Sequence, residues 1–473
     1  MNLKSFFKQA FLAALAVSAL NAYAGNIDAT AARMTANSFL KQKAAAGKFR
    51  AASTADIKLA YTEKSNVSGN AFYVFNIDGG GWVIVAGDDC AKQVLAYGNT
   101  GNIDLNNMPG NMKGFLNTLK GQIETAQAYT GETVPVKAPK LTTAVEPLLK
   151  TDWAQGEPMN RLCPLNSAGE LTSVGCGPLA MAQILYYWKY PSEVAAIPGY
   201  QGTGYQWYSE LPATTFDYSK MLDNYYIHNP ETGNPTGYVS FTDEQANEVA
   251  KLCRYCGQGC KVRYGNANGT SSGSYTYDQL DAFVLFGYNE NMKLVGKDPY
   301  YYNANYPTSY SMDEWIAMIN TELEAGRPIP YHDLGDGHAW VLDGVDADGK
   351  FHMNWGFNGR FNGWFELNAL IIHPYGDDTV WDFSMYSNGD NQMVIGCYPY
   401  DGYVIPSDEP QGLRGDVNMD NDVTIKDVTA LIDYLLSGDA TGISLDNADC
   451  SLADGVTIAD VTKLIDYLLS GNW

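Results

Sequence analysis

Gly175-Cys176-Gly177-Pro178, followed by Leu179-Ala180-Met181-Ala182-Gln183-Ile184-Leu185-Tyr186-Tyr187-Trp188, is the stretch on which the reading of this chain turns. The flanking glycines permit a tight turn with close backbone approach, and Pro178 suits the first turn of a helix that LAMAQILYYW continues amphipathically. A helix beginning there would aim unpaired N–H groups at the Cys176 sulfur, lowering the thiol pKa and offering donors to a developing oxyanion. Alone, a Gly-Cys-Gly at a helix start is more often structural, because a free cysteine commonly acts as a small buried hydrophobe. A nucleophile also needs a base.

The chain has five histidines, and His338 stands out among them. It lies in Gly335-Asp336-Gly337-His338-Ala339-Trp340-Val341-Leu342-Asp343-Gly344, a glycine-flanked approach to an apolar strand from which a side chain can project into a cleft. The next strand runs FHMNWGFNG, placing Asn354 where an amide can orient the imidazole and Trp355 where a ring can shield that contact from water. Those are the roles of a base held by a third group.

At 473 residues the chain is too long for one ordinary core, so several units are expected. Hydrophobic residues make up 45% and charged residues 18%, which is the composition of folded protein. A formal net charge of −23 argues against a nucleic-acid partner, which would need clustered Lys and Arg. Lys4 and Lys8 precede an apolar stretch from Ala10 to Leu20 and small residues at Ala22 and Ala24, so residues 1–24 read as a signal peptide and export is expected. That run is shorter than the roughly 20 residues of a transmembrane helix, and no later segment is long enough, so no membrane span is expected. The eight cysteines are spread thinly. Cys253, Cys256 and Cys260 sit close together but lack the second pair that a structural zinc site needs, and buried or paired thiols are preferred.

Residues from about 25 to 144 open on a helical pattern, TAARMTANSFLKQKAAAG, and continue with two β-rich runs, NAFYVFNI and GWVIVAGD, separated by Asp78-Gly79-Gly80-Gly81. A second helical stretch, MKGFLNTLKGQIETAQAY, follows Pro109, and VPVKAPKLTTAVEP has the character of an exposed connector. Residues 145–400 read as one α+β domain, 401–412 as a linker, and 413–473 as a duplication in which VTIKDVTALIDYLLSG recurs as VTIADVTKLIDYLLSG.

Four blocks together resemble the streptopain family of secreted bacterial cysteine peptidases, which has a papain-like fold. They are Trp153-Ala154-Gln155 with Cys163-Pro164 downstream, GCGPLAMAQILYYWKYP, GHAWVLDGVD, and FHMNWGFNGRFNGWFELNAL. The resemblance implies Cys176 as nucleophile, His338 as base and later acid, and Gln155 as side-chain oxyanion donor. It carries the third role onto Asn354 and Trp355 together, since papain-like enzymes use the Asn and this family is described with emphasis on the Trp. Gly177 departs from the family pattern, which usually has Val after the nucleophile. The resemblance extends to the first domain, so 25–144 is expected to be an inhibitory propeptide of α+β fold. The implied activity is a secreted endopeptidase, made as an inactive zymogen, that hydrolyses protein or peptide substrates through an acyl-enzyme and needs no catalytic cofactor. Two other readings stand beside it: an acyl transferase or amidase using the same dyad, and an inactive surface-binding protein.

In GDVNMDNDVTIKD, Asp416, Asn418, Asp420, Asp422, Thr424 and Asp427 fall at positions one, three, five, seven, nine and twelve of a loop running into a helix, the spacing of oxygen ligands for Ca²⁺. With Asp rather than Glu in last place and one helix per loop, 413–473 resembles a dockerin-type calcium module, which implies a docking partner. The second copy keeps Asp449, Ser451, Thr457 and Asp460 but has Ala453 where a ligand is due, so weaker binding is expected there. Asp-rich loops are otherwise good turns and helix caps.

Overall fold

The computed structural model describes residues 25–49, 56–129, 134–135, 143–202, 206–265, 272–296, 310, 312–333, 338–373, 391–400, 403, 414–420, 422–451 and 456–470. Residues 1–24, read from sequence as a signal peptide, most of the connector after Tyr129, nearly all of the 401–412 linker, Gly335–Gly337 and Ala453 lie outside these. The chain divides into two compact units, Met1–Tyr403 and Val404–Trp473.

The first helix, α1 (Ala29–Ala45), starts where Asp28 accepts hydrogen bonds from the Thr30 and Ala31 amides, each 2.8 Å. Its Ala32, Ala36 and Leu40, spaced by four, form the buried stripe. Four strands make the adjoining sheet: β1 (Ile57–Lys64), β2 (Asn70–Ile77), β3 (Trp82–Ala86) and β4 (Val94–Gly98). The β2–β3 turn uses left-handed backbone at Gly79, Gly80 and Gly81, which fits the glycine run read as a turn. Then comes α2 (Gly110–Ala128).

The remainder of the unit contributes α3 (Cys176–Trp188), α4 (Asp243–Gly259), α5 (Thr276–Leu285), β5 (Lys293–Gly296), α6 (Met312–Glu324), β6 (Ile329–Asp333), β7 (His338–Val345), β8 (Phe351–Asn354), β9 (Gly363–Phe365) and β10 (Asn391–Ile395). A capping box between Thr242 and Gln245 starts α4. All ten strands join one antiparallel sheet in the order β1-β2-β3-β4-β9-β8-β7-β6-β10-β5. The joint between the N-terminal segment and the later domain is therefore a strand pair, with Trp364 opposite Tyr97 and Phe365 opposite Ala96.

One core runs across that joint. Met112, Phe115, Leu119 and Ile123 of α2 pack with Trp340, Leu342, Met353, Trp355 and Phe365, and the Phe115 ring lies 6.2, 5.9 and 5.7 Å from those of Trp340, Trp355 and Phe365. On the opposite face α1 covers Tyr73, Phe75, Val83, Val85 and Trp364. The result is the mixed α/β, papain-like arrangement expected from the sequence, with an additional α/β layer built onto the sheet.

In the second unit α7 (Ile425–Ser437) and α8 (Ile458–Ser470) pack around Val417, Val428, Leu431, Ala448, Cys450, Val461 and Leu464. Among the described residues no helix is long and apolar enough to cross a membrane.

Candidate active site

Gly175 sets the geometry of the nucleophile's turn. It caps α3 with φ of 96°, a conformation open to glycine and strained for any L side chain, and the helix then starts at Cys176 with the Gly175 carbonyl accepting from the Leu179 amide at 3.1 Å. The departure at Gly177 has a local cause: a Cβ there would stand 2.7 Å from the Ser274 hydroxyl, so the space a branched side chain would need is already filled.

The backbone N–H groups of Ala339, Gly177 and Cys176 itself act on the Cys176 sulfur and favour its thiolate. Ala339 directly follows His338, the first residue of β7, so the strand that carries the imidazole also presents an N–H to the sulfur from the next position. A lowered thiol pKa was expected. The direction here is the reverse: burial pushes the Cys176 thiol up, and the three amides offset only part of that. Dehydration at a covered site outweighs the helix start.

The cover comes from α2. A Cβ built on Gly110 would lie 2.3 Å from His338 Nε2, so the glycine backbone is seated against the imidazole. Next to it, buried Asn111 donates through Nδ2 to the Trp355 carbonyl at 3.2 Å. Ion pairs fix the same segment elsewhere: Lys43 of α1 meets Asp346 at 2.7 Å and Asp348 at 2.8 Å, and Lys92 meets Glu366 at 2.6 Å. Tyr97 donates its hydroxyl to Asp346 at 2.9 Å. None of these covering residues carries a sequence motif; Gly110 and Asn111 lie between Pro109 and Met112, at the start of the helix expected after Pro109.

The other expected residues fall around the same place. The half-buried Gln155 accepts through its backbone carbonyl from the amide of Val174, two residues before Cys176, at 3.0 Å, and Ala154 bridges to Phe357. Asn354 is buried and directs Nδ2 to the Thr151 carbonyl at 2.7 Å, while its Oδ1 accepts from the Gly356 amide at 3.1 Å. In this covered state its amide holds backbone of its own domain. Trp355 donates its indole N–H to the Phe361 carbonyl at 3.0 Å, and its ring lies 4.9 Å from that of Trp340, tilted by 43°. Cys253 and Cys256 on α4 and Cys260 just after its end are all buried, and burial raises each thiol well above its ordinary value.

In the second unit Asp427 is completely buried and makes no ion pair among the described residues; it accepts from the Asn418 and Thr424 amides at 3.0 and 2.8 Å. Asp460 repeats this with Ser451 and Thr457, both at 2.7 Å. Asp416 accepts from the Asp420 amide at 3.0 Å, and Asp420 in turn from that of Asp422 at 3.1 Å. Asp427 and Asp460, buried carboxylates with no ion pair among the described residues, suit a hard cation, whereas Asp420 lies 3.6 Å from the Lys426 ammonium. The side chains are not gathered, however: among the described residues no group of three or more His, Cys, Asp or Glu is placed to hold a metal.

Comparison with known proteins matches two family models to separate parts of the first unit. A model of the peptidase C10 family matches residues 153–365, and a model of the Spi protease inhibitor matches residues 24–123. The chain is 30% identical over 379 residues to streptopain of Streptococcus pyogenes, across 76% of this chain and 88% of that one. It is 27% identical over 394 residues to the thiol protease/hemagglutinin PrtT of Porphyromonas gingivalis, across 80% of this chain and 42% of the other. A solved fragment of prointerpain A from Prevotella intermedia superposes with a TM-score of 0.54 at 25% identity, covering 72% of this chain and 98% of the fragment.

Proposed function

The chain belongs to the peptidase C10 family and is a cysteine protease with a propeptide region, and from that premise we propose that it is a secreted, latent endopeptidase working through Cys176 and His338. The observation that carries this is the pairing at the start of β7, where His338 is followed by the Ala339 amide on the Cys176 sulfur while Gly110 seals the imidazole. With the propeptide gone, water and an approaching imidazolium favour the thiolate. The thiolate adds to a substrate carbonyl, and the Cys176 amide with the Gln155 side chain takes up the negative charge. His338 then protonates the leaving amine, and a water, deprotonated by the same imidazole, releases the acyl group and restores the thiol.

The decisive experiment is cleavage of an unfolded protein by the processed chain, with and without reductant. Cys176→Ala and His338→Ala are each expected to abolish it, leaving at most the about 10³-fold residue over water that binding and oxyanion donors supply. Cleavage by either variant above that background overturns the assignment.

The carboxyl-terminal unit is proposed to take Ca²⁺ in its first loop through Asp416, Asn418, Asp420, Asp422, Thr424 and Asp427 and to attach the enzyme to a protein partner. Its two helices expose Ile425, Ile432 and Leu436 on one and Ile458, Ile465 and Leu469 on the other, the same three positions of each repeat, as a duplicated docking face would. Binding should raise the unit's melting temperature by linkage, and Asp416→Ala should remove most of that gain. An unchanged melting curve with and without Ca²⁺ rules the site out.

A further inference from the structure

The nucleophile's helix has a second support that the motifs do not include. Gln279, on α5, is fully buried and donates through Nε2 to the Gly177 carbonyl at 2.7 Å. Its Oε1 lies 2.7 Å from Nε2 of His332, a buried residue of β6. In the strand register His332 stands opposite Ala339, whose amide reaches the Cys176 sulfur. The ladder of β6 and β7 therefore approaches the nucleophile twice, once through Ala339 and once through His332 and Gln279.

Taking Cys176 as the nucleophile, we propose that Gln279, itself oriented by His332, is a positioning residue that holds the Cys176-Gly177-Pro178 backbone in reach of His338. The orientation is determined step by step. Burial holds the His332 pKa down to about 3, so the ring is neutral and must present N–H at Nε2 to the Gln279 oxygen. That leaves the Gln279 NH₂ group to face Gly177. With no side chain of its own, Gly177 has its peptide plane oriented from outside by this hydrogen bond, and the Ser274 hydroxyl occupies the space a Cβ would take. Filling the same space with apolar groups would cost the fold little, because removing both partners of a buried hydrogen bond is close to neutral. A satisfied polar pair in that place specifies an orientation rather than bulk stability.

The test uses the processed enzyme in five forms: wild type, Gln279→Met, His332→Phe, His332→Gln and the double variant of the first two. Each is assayed for kcat and KM, for the rate of Cys176 alkylation by iodoacetamide as a function of pH, and for melting temperature. Gln279→Met and His332→Phe should each lower kcat by about 10²-fold with KM little changed, the loss expected of a displacement near 1 Å. The alkylation profile should shift to higher pH, and the double variant should be no worse than either single one, as for two parts of one chain of contacts. Losses that multiply in the double variant, or wild-type alkylation in a folded Gln279→Met, overturn the proposal. His332→Gln keeps an N–H donor and should stay near wild type; if it folds and loses as much as His332→Phe, the relay is also wrong. Should the wild-type chain fail to cleave protein, the peptidase reading falls, while the alkylation profiles still decide whether Gln279 positions Cys176.

Discussion

Replacing Gly110 by Ala puts two effects of opposite sign against each other. Gly110 is the first residue of α2, behind an N-cap, Pro109, that supplies no side-chain hydrogen bond. Helix propensity alone favours Ala, by at most about 1 kcal/mol. The added methyl, however, would stand 2.3 Å from His338 Nε2, 3.0 Å from Cδ2 and 3.3 Å from Cε1, so either the imidazole or the helix start must move. Overpacking of this kind costs about 1–3 kcal/mol. The balance is a weakening of about 1–2 kcal/mol in the closed state, which raises the open fraction by a factor of about 5–30. Alkylation of Cys176 in the unprocessed precursor reads that population directly if opening and closing are fast, and it should speed up by the same factor. An unchanged or slower rate would refute the claim that the Gly110 backbone is what closes the imidazole.

Three further outcomes follow from the geometry. Gln155→Ala should cost about 10²–10³ in kcat, with KM nearly unchanged, if its amide faces the developing oxyanion; a loss confined to KM would place it in substrate binding. Gly177→Val should lower the melting temperature through overpacking against Ser274, and Ser274→Gly in the same chain should restore part of it. Burial pushes the Asp346 carboxyl up, but the Lys43 ammonium and the Lys350 amide more than offset this and hold it below the usual carboxylate range. Its contribution is present above the unfolded value of about 3.9 and disappears only as pH falls through the lower folded value. Mild acid therefore leaves this anchor intact, and precursor latency, measured by Cys176 alkylation, should persist to about pH 4 unless Lys43→Met removes the partner.

The fold was legible where the pattern is local. NAFYVFNI, HAWVLDGV and the helix after Cys176 are long apolar runs bounded by glycine or polar residues, and each forms the element its period predicts. IKLAYTEK was not read as a strand, because β1 leaves Lys58, Leu59 and Ala60 exposed and presents no clean alternation. The joining of β4 to β9 depends on residues far apart in sequence, Tyr97 with Trp364, and no local signal announces it. At the site, Cys176 and His338 were readable since glycines mark both. Gln279 and His332 were not, since each is an ordinary residue of an element and acquires meaning only through a neighbour across the fold. The covered state explains the Cys176 thiol: the sequence specifies the helix start, whereas hydration is decided by what lies over it.

Because the propeptide shares its sheet with the peptidase, its departure does more than open a cleft. The pairing of β4 with β9 must break, and β9 then becomes an unprotected rim whose main-chain donors and acceptors lose their partners. An extended peptide could add itself there as an extra strand. With only Gly363, Trp364 and Phe365 in β9, the rim is too short to template a long ladder, which limits the self-association that an exposed sheet border otherwise invites.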